Sequence, residues 1–507
     1  MALTTTNTTA TATATPYLDV FILTFNAGKQ QIDPFVFGSH LRNAFAQNAT
    51  SLPELVVLCL QEMAPLANGF IGSYMINSYF QSYATAVNVA ARGDGATSGE
   101  AQDGSQVGGQ AEHQDGQQSQ DEAITSPYTL VTTRNVGMTG IMLLARDPSA
   151  LHKLKSTEVS FGAGSMANKG ALGLRMLFSK LDAEGRKRYT ELTFVGAHLA
   201  AHEWNLKKRN KNWESLVSGL LFDNPEKLRG AKSAKPTAVP TSDDGHDNGN
   251  GDGDGDGSEG EALLLQDQHE QASHNITIYK PGSHLFVAGD LNYRISKTPP
   301  STESDFPDLN PQSPSYFKRF LPLDQLALEK AAGRTLQGLR ESTILFPPTY
   351  KIEVTDEREG PDGVPWKWAP HRWPGWCDRV LYLEIPPWAS RPGPPDTAEV
   401  KMTTIAYDTL PPVRTSDHRA VFLRLGVPVL EPAVLAPSPE WRTPDSSDPR
   451  INLPYPVDLE SWDHRARVKK WESVIGWSML VSQSKQGIAV FVALFFIGLG
   501  TWWLKSR

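Results

Sequence analysis

Eight short apolar runs rich in β-branched and aromatic residues recur between Tyr17 and Leu425: YLDVFILTF, ELVVLCL, MTGIMLLA, GALGLRMLF, ELTFVGAHL, HLFVAGD, DRVLYLEI and AVFLRLG. Runs of this length read as buried strands, and only a few helical stretches separate them. The pattern predicts an α/β sandwich of packed sheets and argues against a regularly alternating parallel sheet. Several runs stop at polar residues: Asn26 ends the first, Gln61 and Glu62 the second, and Asp290 precedes Asn292, Tyr293 and Arg294. A turn after a strand explains one Gly, Asp or Asn. It does not explain the same event at several strand ends.

Two low-complexity stretches interrupt the runs, at 92–123 and 232–275, and both are expected to be disordered surface insertions because they have too little apolar surface to offset ordering. They also distort the charge: residues 241–270 carry ten acids and no Lys or Arg, and residues 92–123 carry seven acids and one Arg. Removing −10 and −6 from the formal −8 leaves a body near +8, which suits an anionic substrate or membrane surface. Repeated Asp-Gly in the second insertion lacks the spaced ligands and closing Glu of a calcium loop. With only Cys59 and Cys377 there is no disulfide framework, and a reducing compartment is expected. Residues 1–16 lack a signal peptide's basic start and apolar core, and are expected to be a disordered leader.

Composition changes after Leu425. Eight prolines between Pro428 and Pro456 predict a stiff tether that runs, with a basic Trp-containing segment, to residue 486. The segment DHRARVKKWESVIGWSML has the make-up of a surface helix. From Gly487 to Leu504 no charge occurs, Trp502 and Trp503 sit near one end, and Lys485, Lys505 and Arg507 bracket the run. At about 1.5 Å per residue such a helix reaches about 27 Å, enough for a thin bilayer. A transmembrane helix at 487–504 is expected, inserted after synthesis with the body left in the cytosol.

The strand-end residues have a common chemistry. Asn26 and Glu62 offer hard oxygen donors of the kind Mg²⁺ accepts. FGAGSMANKG is a Gly-rich loop ending in Asn168 and Lys169, without the Walker spacing of an ATP site. HLAAHEWNLKKRNK sets His198 and His202 four apart, either as zinc ligands or as donors to phosphate oxygens; the Glu of a zinc-protease helix is missing. FPPTYK, WPGWCDRV and RTSDHRAV add Tyr350, Lys351, Asp378, Arg379, Asp417 and His418, and no Gly-x-Ser-x-Gly elbow accompanies the serine.

Taken in order, Asn26, QE, GSMANKG, HLAAH, GDLNYR, PTYK, WCDR and SDH resemble the motifs of the inositol polyphosphate 5-phosphatases of the exonuclease-endonuclease-phosphatase superfamily, over residues 17–427. The plan with a C-terminal membrane segment is similar to fungal-type tail-anchored phosphatidylinositol 4,5-bisphosphate 5-phosphatases. The resemblance implies a four-layered α/β sandwich, two packed mixed sheets flanked by helices, with the motifs at one edge. It implies that Asn26 and Glu62 hold Mg²⁺, that Asp290 orients and deprotonates water, and that Asn292 positions water and phosphate. His418, oriented by Asp378, bonds the phosphate, and Asp417 belongs to the metal's surroundings. His198, His202, Asn168, Lys169 and Arg294 line the phosphate site. Tyr350 and Lys351, with Arg372 and Arg379, read the substrate's other phosphate.

Two positions depart from the family pattern. Phe25 stands where Trp usually precedes the metal-binding Asn, and Pro370 stands where a Lys is usual two residues before Arg372, leaving Lys367 or His371 as replacements. The expected protein is a Mg²⁺-dependent phosphoric monoester hydrolase acting on phosphatidylinositol 4,5-bisphosphate at the cytosolic face of the endoplasmic reticulum membrane, with no nucleic-acid partner. The alternatives are another phosphodiesterase of the same fold, or a catalytically silent phosphoinositide-binding tether.

Overall fold

The computed structural model describes residues 15–72, 74–92, 126–226, 228, 268–355, 363–390 and 399–506. Two six-stranded mixed sheets face each other. The first runs, in spatial order, β13 (Thr403–Thr409), β14 (Val421–Pro428), β1 (Tyr17–Asn26), β2 (Leu55–Gln61), β4 (Thr139–Ala145) and β3 (Thr129–Val136). The second runs β5 (Leu151–Ser160), β6 (Gly170–Leu181), β7 (Lys187–His198), β8 (Ser283–Asp290), β12 (Asp378–Leu383) and β9 (Leu339–Arg340). A hairpin of β10 (Ile352–Val354) and β11 (Trp366–Trp368) stands apart from both.

Strand alternation explains the layering. On β1, Leu18, Val20 and Ile22 point between the sheets, while Phe21, Leu23 and Phe25 point outward. The outer set is covered by helices α1 (Pro34–Ala46) and α3 (Tyr74–Arg92), which bury Phe37, Leu41, Ile76 and Phe80 against it. On β7, Leu192 and Phe194 face inward, whereas Val195 and Ala197 meet Trp213 and Leu216 of α4 (Leu206–Gly219). Both faces of the central strands are therefore buried, which is why those strands read as continuous apolar runs, whereas the edge strands β3, β5 and β13 are partly exposed. The α/β architecture of two mixed sheets flanked by helices follows the expectation, and a short helix, α2 (Leu66–Ile71), completes the first layer.

The insertion boundaries fall largely outside the described residues. At the end of the second one, residues 268–276 are helical with His274 and Ile276 buried, so the body resumes before the expected 275.

The stretch 428–486 is not an extended tether. The Val429 N–H bonds the Pro16 carbonyl at 2.8 Å, Leu435 is buried, and Arg450, also buried, donates to the Glu384 carbonyl at 2.9 Å. Helix α5 (Ser461–Gln483) then lies against α2, burying Arg465, Glu472 and Gly476. The prolines do interrupt regular structure, but isolated anchors between them hold the chain to the body.

After a break at Ser484, helix α6 spans Lys485–Lys505. The expected membrane span at 487–504 falls partly on side chains outside the described set. Among the described residues no helix is long and apolar enough to cross a membrane.

Between the sheets Phe194 stacks on Phe286 with ring centroids 5.1 Å apart. Phe194→Ala should cost about 3–5 kcal/mol through lost burial and the cavity left behind. Denaturant unfolding checks this, and a change below about 1 kcal/mol would mean the inter-sheet layer is not tightly packed there.

Candidate active site

Strand register assembles the site. Gly170 pairs with His198 across β6 and β7, His198 with Asp290 across β7 and β8, and Asp290 with Asp378 across β8 and β12. Residues opposite one another in register share a face, so His198, Asp290 and Asp378 form one row at the end of the second sheet. The first sheet brings its own row to the same edge: Asn26 ends β1 opposite Gln61, and Glu62 follows at once. His418 enters from the loop before β14, where its backbone N–H bonds Ser416 Oγ at 3.0 Å, while the Ser416 hydroxyl donates to the Asn26 carbonyl at 2.5 Å.

Asp290 is the centre, and it is buried. Its carboxylate accepts from Asn26 Nδ2 at 3.0 Å and from the Asn292 backbone N–H at 3.1 Å. His198 Nε2 lies 3.3 Å away and His418 Nε2 4.0 Å. Burial alone would raise the Asp290 carboxyl, but the His198 hydrogen bond and the charges of His418, His198 and Lys169 drive it far below the ordinary range, so it stays ionised.

His418 Nδ1 meets Asp378 Oδ2 at 2.8 Å, and that oxygen also accepts the Thr349 hydroxyl at 2.7 Å. Burial works against the His418 charge, yet Asp378 and Asp290 outweigh it and lift the imidazole to about 9. His418 is thus a cation at neutral pH, oriented by Asp378 and with Nε2 toward Asp290. Burial lowers His198, and the Lys169 ammonium against its ring lowers it further, while the Asp290 carboxylate pulls the other way.

Other predicted residues fill the surroundings. Asn292 adopts a left-handed φ of 57°, and its amide donates to the Leu199 carbonyl at 3.2 Å. Arg294 holds the Asn292 side-chain oxygen through Nη2, with its guanidinium 4.3 Å from the Tyr350 ring centroid. Among the described residues Arg294 Nη1 is buried with no hydrogen-bond partner, a donor in want of an anion. Tyr350 packs on His418 at 4.5 Å, and Lys351 pairs with Asp417. Asn168 and Lys169 close the Gly-rich loop, with the Lys169 ammonium 3.8 Å from Glu62. Arg372 lies at the rim, 3.9 Å from the buried carboxylate of Glu203.

Of the two readings open for His198 and His202, the zinc pair does not fit: His198 ends a strand, and His202, exposed with a φ of 76°, stacks on Trp204 at the rim. One expectation needs correction, because Arg379 is not in the site. It follows Asp378 on β12 and therefore points to the opposite face, where it bonds Glu341 at 2.5 and 2.6 Å and Asp324 at 2.9 Å. Three contributors escaped the sequence reading: Thr349, Ser416 and Lys29, whose ammonium lies 3.2 Å from Glu62. Thr349 and Ser416 sit inside the quoted PTYK and TSDH stretches, which was the signal available.

The donor set fits a hard divalent cation. Asn26 Oδ1 accepts only the Gly28 N–H at 3.2 Å among its described bonds, and Glu62 is partly exposed. Burial raises the Glu62 carboxyl, but His198, Lys169 and Lys29 together hold it below the ordinary Glu value, so it is ionised and attracts positive charge. All are oxygen ligands, as Mg²⁺ and Ca²⁺ prefer. Asp290, Asp378 and His418 also bring potential ligand atoms within 4.8 Å of one another. However, the Asp378–His418 hydrogen bond and the His418 charge suit that trio to proton and phosphate handling instead.

The model of Endonuclease/Exonuclease/phosphatase family 2 matches residues 23–424. Type II inositol polyphosphate 5-phosphatase 14 of Arabidopsis thaliana is 27% identical over 268 residues, covering 52% of this chain and 20% of the relative. Phosphatidylinositol 3,4,5-trisphosphate 5-phosphatase 1 of Xenopus laevis is 24% identical over 311 residues, covering 59% and 23%. The chain thus matches about a fifth of the length of these curated relatives. A crystal structure of the inositol polyphosphate 5-phosphatase domain of SpSynaptojanin, in complex with inositol (1,4)-bisphosphate and calcium ion, aligns with a TM-score of 0.48 at 18% identity, covering 82% of this chain and 85% of that one.

The placement of Arg379 has a measurable consequence. Arg379→Met leaves Glu341 and Asp324 without their cation and should cost about 3–5 kcal/mol of stability. Turnover and KM of the fraction that folds should stay near those of the parent. Thermal unfolding and kinetics on the same preparation check this; a raised KM at unchanged stability would return Arg379 to the substrate site.

Proposed function

This chain belongs to Endonuclease/Exonuclease/phosphatase family 2, and from that premise we propose that it is a phosphoric monoester hydrolase that removes the 5-phosphate of phosphatidylinositol 4,5-bisphosphate with the help of Mg²⁺. The observation that carries the reading is the row of His198, Asp290 and Asp378 on neighbouring strand ends, met by Asn26 and His418 from the facing sheet. Phosphate hydrolysis needs little covalent help from protein; it needs an oriented water and donors aimed at oxygens where charge shifts.

The residues supply both. Asp290 is ionised and can hold a water and take up its proton, and its neighbour Asn292 is fixed by Leu199 and Arg294. The water oxygen bonds to phosphorus while the bond from phosphorus to the inositol oxygen breaks. The proton taken up by Asp290 passes on to solvent and the inositol oxygen takes one from solvent, giving the inositol hydroxyl and inorganic phosphate. The His418 imidazolium, the Lys169 ammonium and the unmatched Arg294 Nη1 stabilise the phosphate oxygens. Asn26 and Glu62 would hold Mg²⁺, which when bound supplies Lewis acidity and neutralises phosphate charge.

Substrate choice rests on Tyr350 and Lys351. Tyr350 packs against His418 and Lys351 is the next residue, so the Lys351 ammonium suits a phosphate adjacent to the one being removed. The relatives' names support inositol phosphates and phosphoinositides as the substrate class. Helix α6 supports action at a membrane: Phe495, Phe496, Ile497, Trp502, Trp503 and Leu504 are exposed, and a bilayer with interfacial Trp would cover them. We place this anchor in the endoplasmic reticulum membrane, with the body on the cytosolic side.

Asp290→Ala should lower turnover by about 10² to 10⁴ while the fold persists. The test is phosphate release from a panel of phosphoinositides and soluble inositol phosphates, with Mg²⁺ and with chelator. Release confined to 5-phosphates and dependent on divalent metal is expected. Parental turnover in the variant would remove Asp290 from the mechanism, and lipid binding without turnover by the parent would favour a silent tether.

Truncation before Gly487 should spare turnover of soluble substrate and reduce turnover of vesicle lipid, because anchoring raises local concentration. Carbonate-resistant membrane association in cells should disappear with it. If that association survives, α6 is not the anchor.

A further inference from the structure

The active-site loop between Phe161 and Lys169 is held from outside the site by a residue 305 positions away. Glu472 of α5, only 2% exposed, accepts the Ala167 N–H on Oε1 at 2.6 Å. Its other oxygen accepts Arg465 Nη1 at 2.8 Å, and Arg465 Nε bonds Glu158 at 2.9 Å on β5, the strand that leads into the loop. On its opposite side the Ala167 carbonyl lies so close to Gly137 that a β-carbon there would come within 1.8 Å of the oxygen. The Ala167 backbone is therefore held at its N–H and closely packed at its carbonyl. Gly476 lets α5 approach α2, since a β-carbon there would already meet Phe70 and Ile71 at 3.0 Å.

The loop is also tied by packing, with Ala167 in the inter-sheet core, Met166 against it and Phe161 in the outer layer. Two left-handed residues, Gly164 and Ser165, bend it, and its own ladder includes Gly162 N–H to Met166 O at 3.0 Å and Phe161 N–H to Lys169 O at 3.1 Å. Ala167 immediately precedes Asn168 and Lys169, and the Lys169 ammonium stands between His198 and Glu62. A shift of about 1 Å at such a group can cost about 10²-fold in rate.

We infer that Glu472 is a positioning residue: through the Ala167 N–H it sets the Gly-rich loop so that Asn168 and Lys169 face the reacting phosphate, and α5 is an integral strut of the site. The kinetic part of this inference rests on the hydrolase reading; the loop-ordering part does not. Gln at 472 keeps an acceptor for the N–H, whereas Ala removes it. Arg465→Met removes the charge partner and leaves the acceptor in place.

The test uses the full chain and reads two quantities: amide hydrogen exchange of the 161–169 segment, and kcat and KM for a soluble inositol phosphate. Glu472→Ala should speed exchange at the loop and lower kcat/KM about tenfold to hundredfold. Glu472→Gln should keep both near parental values. Arg465→Met should lower thermal stability with kcat/KM within about threefold, and in a Lys169→Ala background the effect of Glu472→Ala on kcat/KM should shrink. Should Glu472→Ala fail to fold, the double variant R465M/E472L, which replaces the buried pair by apolar side chains, should fold and show the same loop exchange and loss. Parental exchange and kcat/KM in Glu472→Ala, or in that double variant, would overturn the inference, as would equal damage from Gln and Ala at 472. If the parent releases no phosphate from any substrate, the hydrolase reading falls, and loop exchange still decides the role of Glu472.

Discussion

A carboxylate buried to 1% exposure is the constraint on which the rest of the site depends. Asp290 could not stay ionised at the end of β8 without compensating donors, and the structure surrounds it with Asn26, the Asn292 N–H, His198 and His418. Those partners come from both sheets. Keeping this charge therefore requires the two sheets to stack with β1 and β8 in step, and the inter-sheet core of Ile22, Phe194, Phe286 and Val380 holds that alignment.

The same arrangement separates two kinds of charged residue that look alike in sequence. Asp378 and Arg379 are neighbours, yet strand alternation sends one to the site and the other into a buried pair with Glu341 and Asp324. Arg294 makes the opposite case. It is equally buried, but among the described residues one guanidinium nitrogen has no hydrogen-bond partner, and that nitrogen lies on the residue already bound to Asn292. An Arg whose donors are all used stabilises the fold; one with a spare donor beside a catalytic constellation is poised for an anion.

Much of the fold was legible because both faces of the central strands are covered, so those strands appear as apolar runs. Polar residues ending those runs, Asn26, Glu62, His198 and Asp290, were legible for the same reason. His418 and Asp378 lie 40 residues apart; a strand-end Asp and a distant His suggest an oriented imidazole pair, and the resemblance to a family is what assigns Asp378 to His418. Arg379 was misplaced because a motif was read as a unit where the strand reads it as alternating faces. The stretch after Leu425 departs from expectation because Leu435 and Arg450 are isolated anchors set among prolines that usually mark extension, and because the face α5 buries, Ser461, Arg465, Glu472 and Gly476, has no large apolar residue to reveal it. Nothing local marks Glu472 as a partner of Ala167.

In the proposed reaction this constellation breaks a phosphorus–oxygen bond at the inositol 5-position by attack of water. The most direct measurement is hydrolysis of phosphatidylinositol 4,5-bisphosphate in ¹⁸O-labelled water, with mass analysis of phosphate and identification of the lipid product. One ¹⁸O in the released phosphate, none in the inositol, and phosphatidylinositol 4-phosphate as product are expected. Label in the inositol, a 5-monophosphate product, or cleavage of the diester would contradict the proposed reaction.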